Sequence, residues 1–444
     1  MKTRLTFYGG VSEIGGNKIL LEQGGTRIFL DMGKSFDFGE KYFVQYLSPR
    51  ISRVGLKDHF ALGLLPEIPG LYSEEMLEQT DLKYEAPRFH GVFLSHIHFD
   101  HSSHVHLIDP QIPVYLGEGT KVILDSWEET SRGSLFGERD FRTFRTGDAI
   151  DIDGIEVRPI HVDHSVPAAY GHVIHTDAGT LAYTGDLRRH GTHAKMTDDF
   201  LEEAQEADFL ICEGTRVEPT ETRKNYTESE VLTNAKSVVE KAQGKLVATT
   251  FYPRDVDRMK TFHRVAQETG RKFVISTRTA RLLMSLSEDP GIKVPDVFKD
   301  ENILIYARHL LKRPSWEEEL MDHVVDAEFV HKNQKELILQ LDFHYFTELV
   351  DIDPSPGGHF IHSMSEPFEE DDVEDEVKHN WLNRFKFHFH QYHASGHCSK
   401  EEIFDILKTI DAKKVFPVHT EHPGMFKEAA SGVIPPKLCR TYEL

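Results

Sequence analysis

Between Ser95 and His101 the chain reads Ser95-His96-Ile97-His98-Phe99-Asp100-His101, three imidazoles and one carboxylate within six residues. A lone histidine is usually a surface residue or a satisfied core residue, but an H-x-H-x-D-H run after an apolar stretch reverses that expectation. Imidazole nitrogen and carboxylate oxygen suit zinc or a similar first-row cation. Alternation on an extended segment puts His96 and His98 on one side. A following turn can then aim Asp100 and His101 at a second, adjacent position. Two cations about 3.5–4 Å apart can bring a shared water to near-neutral pKa and neutralise charge building on phosphoryl oxygens.

Such a pair needs further ligands, and later strand ends offer them. His164 stands in His161-Val162-Asp163-His164-Ser165-Val166-Pro167, Asp186 closes Leu181-Ala182-Tyr183-Thr184-Gly185, and His419 closes Val415-Phe416-Pro417-Val418. A carboxylate at position 186 could bridge two cations. Each alone is more often a polar strand edge; their joint occurrence in this order is the signal. His161, three residues before His164, is the competing ligand in its segment.

The elements that must position these residues are legible in the apolar pattern. Residues 91–94 read as a buried strand leading into the cluster. Residues 18–21 and 27–30 flank Gly24-Gly25 as a hairpin, with Asp31 at the strand end. Residues 34–88 read as an irregular loop with short helices. A helix is expected near 120–129, and strands at 155–160, 168–175, 180–184 and 209–212. From about Tyr226 the rhythm becomes helix, strand, helix, strand, the grammar of a parallel α/β domain. Thr227-Glu228-Ser229-Glu230 reads as a capping box, and Asp255 to Thr269 as a helix stopped by Gly270. Glu369-Glu370-Asp371-Asp372 with Glu374, Asp375 and Glu376 reads as a solvated acidic loop, with strand alternation resuming over 385–392. A helix over 400–410 and a strand over 414–418 close the pattern.

At 444 residues the chain can bury a large core. No apolar run approaches the roughly 20 residues of a membrane span, and the opening residues read as a strand rather than a signal peptide. Three cysteines, Cys212, Cys398 and Cys439, argue against a disulfide framework and for a reducing cytoplasm. The formal charge of −22 opposes sequence-independent binding of long duplexes.

On these motifs the chain resembles the metallo-β-lactamase superfamily, whose αββα sandwich holds two metals at one edge of its sheets. The resemblance implies that His96, His98 and His164 hold one metal and Asp100, His101 and His419 the other. Asp186 would bridge them, and Asp31 would orient ligands. The His-Ser-Val-Pro context favours His164 over His161. Glu213 in Cys212-Glu213-Gly214-Thr215, the run His393-Ala394-Ser395-Gly396-His397, and Pro417-Val418-His419 resemble the β-CASP branch, as does the segment from Thr250 to Arg258. With Val11-Ser12-Glu13-Ile14-Gly15-Gly16-Asn17, they look most like the ribonuclease J family in its short, archaeal-type layout. Glu213 stands where that family more often has Asp.

The expected fold is therefore α/β: a metallo-β-lactamase domain over 1–225 and 386–444, interrupted by a parallel α/β β-CASP domain over 226–385. The implied cofactors are two divalent metal ions, zinc or manganese. The implied activity is hydrolysis of single-stranded RNA, 5′-to-3′ exonucleolytic or endonucleolytic, in the cytoplasm, by a homodimer. His397 would contact the scissile phosphate or protonate the leaving group, with Glu213 orienting it. His393, Ser395, Gly396 and His397 would cradle the neighbouring phosphate. Two other classes compete: a small-molecule ester, lactone or phosphodiester hydrolase on the same scaffold, and a non-catalytic RNA-binding subunit. The second usually loses metal ligands, and here every expected position is filled.

Overall fold

The structure, a computed structural model, describes residues 2–44, 46–131, 134–366 and 372–444. Among the described residues the strands form three sheets. The first runs, from edge to edge, Thr441–Glu443, Thr3–Gly9, Lys18–Gln23, Thr26–Leu30, Gly91–Phe93, Val114–Gly117 and Phe141–Phe144. The second runs Lys414–Val418, Phe209–Glu213, Gly179–Tyr183, Ala169–Thr176, Ile155–Val162 and Ile150–Ile152.

Strand alternation decides how these two sheets stack. Leu5, Phe7, Ile19, Leu21, Ile28 and Leu30 face Val157, Ile174, Leu181, Ile211, Phe416 and Val418 in one dry layer between the sheets. The opposite side of the first sheet, with Leu20, Phe29 and Val92, is covered by Ile123 and Leu124 of the helix Glu118–Thr130 and by the segment around Leu56 to Leu77. The outer side of the second sheet, with Ala182, Leu210 and Cys212, packs on Phe200 and Leu201 of Ala194–Ala204 and on Ile403, Ile406 and Leu407 of Lys400–Ile410. This is the αββα layering expected above. The segment over 34–88 carries three short helices, Ile51–Val54, Lys57–Ala61 and Glu74–Leu77.

The third sheet runs Val324–Val325, Ile303–Tyr306, Lys272–Ser276, Leu337–Gln340, Val247–Thr250, His359–His362 and His388–Gln391. Every neighbouring pair in it is parallel. Helices Glu228–Lys241, Val256–Thr269 and Thr277–Ser287 cover one face, and residues such as Leu349, Ile352 and Leu382 cover the other. The Thr227 capping box forms as read, and Gly270 ends its helix in the left-handed conformation at φ 70°.

Two local expectations are corrected. Glu369, Glu370 and Asp371 lie outside the described residues, but Glu374, Asp375 and Glu376 are not loop. They form the first turn of the helix Val373–Arg384, whose N-cap Asp372 accepts from the amides of Glu374 and Asp375. Carboxylates favour that end of a helix dipole. The same helix occupies the start of the expected strand: Phe385 caps it, Lys386 turns at φ 60°, and the strand begins only at His388. That strand pairs with His359–His362, so the third sheet extends beyond residue 385.

Asp342, just past the strand Leu337–Gln340, gives a stability prediction. Its Oδ1 accepts from Thr250 Oγ1 at 3.4 Å, and burial pushes its carboxyl up to about 6. A carboxyl raised in the folded state contributes its full stability below the unfolded value near pH 4. That contribution is lost as pH rises through about 6. Asp342→Asn should match the wild type near pH 4 and exceed it above pH 7 by up to about 3 kcal/mol. Denaturant unfolding at both pH values measures this, and equal stability at pH 7.5 would refute it.

Candidate metal centre

The site forms where parallel strands end. Gly179–Tyr183, Phe209–Glu213 and Lys414–Val418 lie side by side in parallel register, so Asp186, Glu213 and His419 emerge at one edge. Across the sandwich, Thr26–Leu30 and Gly91–Phe93 are also parallel neighbours, and they deliver Asp31 and the histidine cluster to the same edge. The short helix Phe99–Ser102 turns Asp100 and His101 back toward the centre. Two of the deciding residues sit in left-handed backbone, Asp31 at φ 59° and His419 at φ 54°. That conformation is costly for a side-chain-bearing residue, and it is fixed here by the bonds from Asp31 N to Phe93 O and from His419 N to Gly10 O, each 2.9 Å. Gly33 permits the close approach of strand end and turn: a Cβ there would fall 1.7 Å from the Asp100 carbonyl oxygen.

Two ligand groups result. His96, His98 and His164 converge, with His98 Nδ1 lying 3.0 Å from His96 Nε2 and 3.0 Å from His164 Nε2. Asp100, His101, Asp186 and His419 form the second group. Asp186 Oδ2 lies 2.9 Å from His101 Nε2, 3.6 Å from His419 Nε2 and 3.7 Å from His96 Nε2, so it touches both. A third overlapping group joins Asp186 to Glu213 and His397. His161 stands apart: it bonds Thr146 and stacks on Tyr170.

The residues fit metal. Both Asp186 oxygens and His101 Nε2 are buried, and beyond the 2.9 Å approach of Asp186 Oδ2 to His101 Nε2 they have no well-aligned hydrogen-bond partner among the described residues; an ion would complete such a set. Burial first, and then neighbouring imidazoles, push His96 and His164 well down. Burial likewise pushes His98 down to about 3, so all three are neutral donors with free lone pairs. Burial alone would raise Asp186 and Asp100, but His101 and His419 hold both below the usual carboxylate range.

Three of these histidines are oriented from behind, as metal-binding histidines generally are. His101 Nδ1 donates to Asp31 Oδ2 at 2.7 Å, and Asp31 also accepts from Ser95 N at 2.7 Å and from Ser95 Oγ at 2.8 Å. His164 Nδ1 donates to Gly396 O at 2.6 Å. His419 Nδ1 donates to Thr215 Oγ1 at 2.8 Å, which turns its Nε2 to Asp100 Oδ2 at 2.9 Å. His397 Nδ1 lies 3.1 Å from both Glu213 oxygens and 3.1 Å from Thr215 Oγ1. Burial would lower His397, but Glu213 and then Asp186 raise it to about 9.

The run from His393 to His397 borders the centre. Gly396 packs so tightly that a Cβ would come within 2.8 Å of His164 Cε1. Ser395 Oγ accepts from His397 N at 3.2 Å. His393 Nδ1 points to Arg258 and Ser363, and His393 and Ser395 line a groove with Arg216, Arg223, Lys224 and Gln391. Three neighbours escaped the sequence reading. Thr215, two residues past Glu213, bonds both His419 and His397. Tyr252 stands edge-on to His98 at 5.2 Å, and Arg254 stacks on Trp127 at 3.8 Å and on Tyr252 at 4.7 Å. Their one signal was position, immediately after the buried strand Val247–Thr250, at the carboxyl edge of a parallel sheet where ligands bind.

Two family models match. Residues 68–247 match a beta-lactamase superfamily domain, and residues 384–431 match a Zn-dependent metallo-hydrolase RNA specificity domain. These matches, with the relatives that follow, support a metallo-β-lactamase protein of the β-CASP branch that is ribonuclease J-like. Ribonuclease J of Pyrococcus abyssi is 22% identical over 438 residues, 93% of this chain and 88% of that protein. Ribonuclease J2 of Bacillus subtilis is 21% identical over 432 residues, 94% of this chain and 69% of that protein. Ribonuclease J of Sinorhizobium meliloti is 25% identical over 239 residues, 51% of this chain and only 40% of that protein. A crystal structure of a protein of unknown function from Enterococcus faecalis V583 shares the fold end to end, with TM-score 0.81 and 24% identity over 100% of both chains. No helix among the described residues is long and apolar enough to cross a membrane.

Proposed function

We propose that this protein is a two-metal ribonuclease that hydrolyses single-stranded RNA. The observation that carries the reading is Asp186, a buried carboxylate that touches both ligand groups and lies 3.9 Å from His397. His96, His98 and His164 would hold one divalent ion, Asp100, His101 and His419 the other, and Asp186 both. The chemistry such a pair supplies when bound is Lewis-acid activation of water and neutralisation of phosphoryl charge; zinc and manganese both suit these ligands.

The chain's own residues do the rest. Glu213 and Thr215 occupy His397 Nδ1, which leaves Nε2 to hydrogen-bond a non-bridging oxygen or give a proton to the leaving oxygen. Ser395 and Gly396 border the neighbouring phosphate position. The groove with Arg216, Arg223 and Lys224, where Glu218 and Glu221 hold the two arginines and Glu366 also lines the wall, is the candidate 5′-monophosphate pocket for 5′-to-3′ exonuclease action, with endonucleolytic cleavage by the same centre. In this reading the β-CASP domain, expected over 226–385, is the unit built on the third sheet, and it closes the cleft over the metallo-β-lactamase domain. Cytoplasmic location fits the three unpaired cysteines. The homodimer rests on the family resemblance.

The charge of −22 favours one alternative, a small-molecule ester, lactone or phosphodiester hydrolase on this scaffold. One experiment separates the two: time-resolved digestion of a single RNA carrying a 5′-monophosphate, triphosphate or hydroxyl, with zinc or manganese, beside a panel of small esters. Mononucleotide release from the monophosphorylated end is the expected result. Turnover of esters with all three RNAs intact would replace the ribonuclease reading.

A further inference from the structure

Three consecutive carbonyls of the loop from His393 to His397 are each tied to a side-chain donor, two of them behind the loop and the third at the metal centre. Ala394 O accepts from Arg258 Nη2 at 3.1 Å. Ser395 O accepts from His190 Nε2 at 3.0 Å and from Arg188 Nη1 at 3.5 Å. Gly396 O accepts from His164 Nδ1 at 2.6 Å. His393 and Ser395 line the groove, and Ser395 Oγ accepts from His397 N at 3.2 Å. Carbonyls engaged by donors in this way repel an approaching anion less.

The two arginines are unusual in themselves. Arg188 and Arg258 are 0% exposed, although arginine is almost never fully buried unless paired. Arg258 comes from the helix Val256–Thr269, in the unit built on the third sheet. Glu228 grips it with both oxygens, at 2.8 and 3.0 Å. Its Nη1 donates to Ser363 O at 2.8 Å and to Ser363 Oγ at 2.6 Å, and lies 3.2 Å from His393 Nδ1. Arg188 comes from the second sheet's side and is held by Asp163 at 2.9 Å and by Asp257 at 3.4 Å. Asp257 lies on the same helix as Arg258, so one buried ion network crosses between the two units and ends on the loop. Buried ion pairs add little net stability over apolar packing. Their use here is geometric, because the planar five-donor fork of arginine fixes several acceptors at once.

We propose that Arg258, held by Glu228 and seconded by Arg188, is a positioning residue that shapes the phosphate-receiving loop. The unit built on the third sheet thereby sets substrate affinity from behind, without touching the phosphate. The proposal rests on the ribonuclease reading above. Its signature is a KM effect: Arg258→Lys keeps the charge but lacks the fork.

The test compares wild type with R258K on 5′-monophosphorylated single-stranded RNA, with metal content and thermal unfolding measured alongside. The expected result is a KM raised about 30-fold, kcat within about threefold, and unchanged metal per chain. A KM within threefold of wild type overturns the proposal. So does a parallel loss of affinity and metal content, because Arg258 would then be a general structural support. If R258K does not fold, Glu228→Gln replaces it, with KM expected to rise about fivefold and the same overturning outcomes. A wild type that binds metal and leaves every RNA intact defeats the ribonuclease reading instead. Calorimetric binding of uridine 5′-monophosphate then decides the positioning proposal. Affinity weakened tenfold or more in R258K upholds it, and equal affinity overturns it.

Discussion

Asp186→Ala should yield a folded protein whose metal-dependent RNA cleavage has fallen by at least about 10³-fold, the scale of losing a principal electrostatic contact in a water-poor site. Among the described residues Asp186 is the only carboxylate that reaches the ligand atoms of both groups, at 2.9 Å from His101, 3.6 Å from His419 and 3.7 Å from His96. Asp100 serves the second group alone. Without Asp186 nothing spans the two positions, so the expected readout is fewer metal ions per chain as well as lost turnover. The fold should survive, because the side chain lies past a strand end and its one close polar approach is to His101. His98→Ala should give the same loss from the other group. The checks are elemental analysis, a circular-dichroism melt and cleavage of end-labelled RNA. Either variant retaining more than about a tenth of wild-type turnover with both metals bound would remove the assignment.

His397→Ala should act differently. Its ring lies outside the groups His96/His98/His164 and Asp100/His101/Asp186/His419, and its side chain is 20% exposed, enough to face a bound strand. Glu213 and Thr215 fix one ring nitrogen and leave the other for substrate. The expected effect is a fall in kcat of about 10²–10³-fold, typical for removing a positioned proton donor or an oxyanion contact, with metal per chain unchanged. Loss of metal and turnover in proportion would make His397 a ligand or a structural support instead.

What the sequence disclosed and what it withheld divide along a physical line. The cluster from His96 to His101 was legible because its ligands are contiguous and follow a strand. His164, Asp186 and His419 were legible because each closes a short apolar strand, and parallel strands bring their ends to one edge. Thr227 and Gly270 announced their helix boundaries through capping chemistry. Thr215 was not legible as a partner of His419, since a threonine two residues past a strand has many uses. Only the parallel register of Phe209–Glu213 with Lys414–Val418 joins the two. Arg188 gave no signal, and Arg258 stood inside the Thr250–Arg258 segment without a role of its own. Charged residues default to solvent in any pattern reading, and their burial depends on carboxylates from both units. The acidic stretch near residue 374 misled because high charge reads as loop, whereas its carboxylates stabilise a helix start.

The helix Glu118–Thr130 packs directly against Thr277–Ser287, and Ile123 and Leu124 share one apolar layer with Leu283 and Leu286. Arg281 pairs with Glu129 at 2.6 Å, and Arg145 with Asp289 at 3.0 Å, along the same seam. Swinging the halves apart like jaws would strip that greasy contact into water, so any opening must be a small sliding of helix over helix. In the exonucleolytic mode proposed above, a strand would be fed in by a free tip, and a hairpin or duplex at that tip would stall.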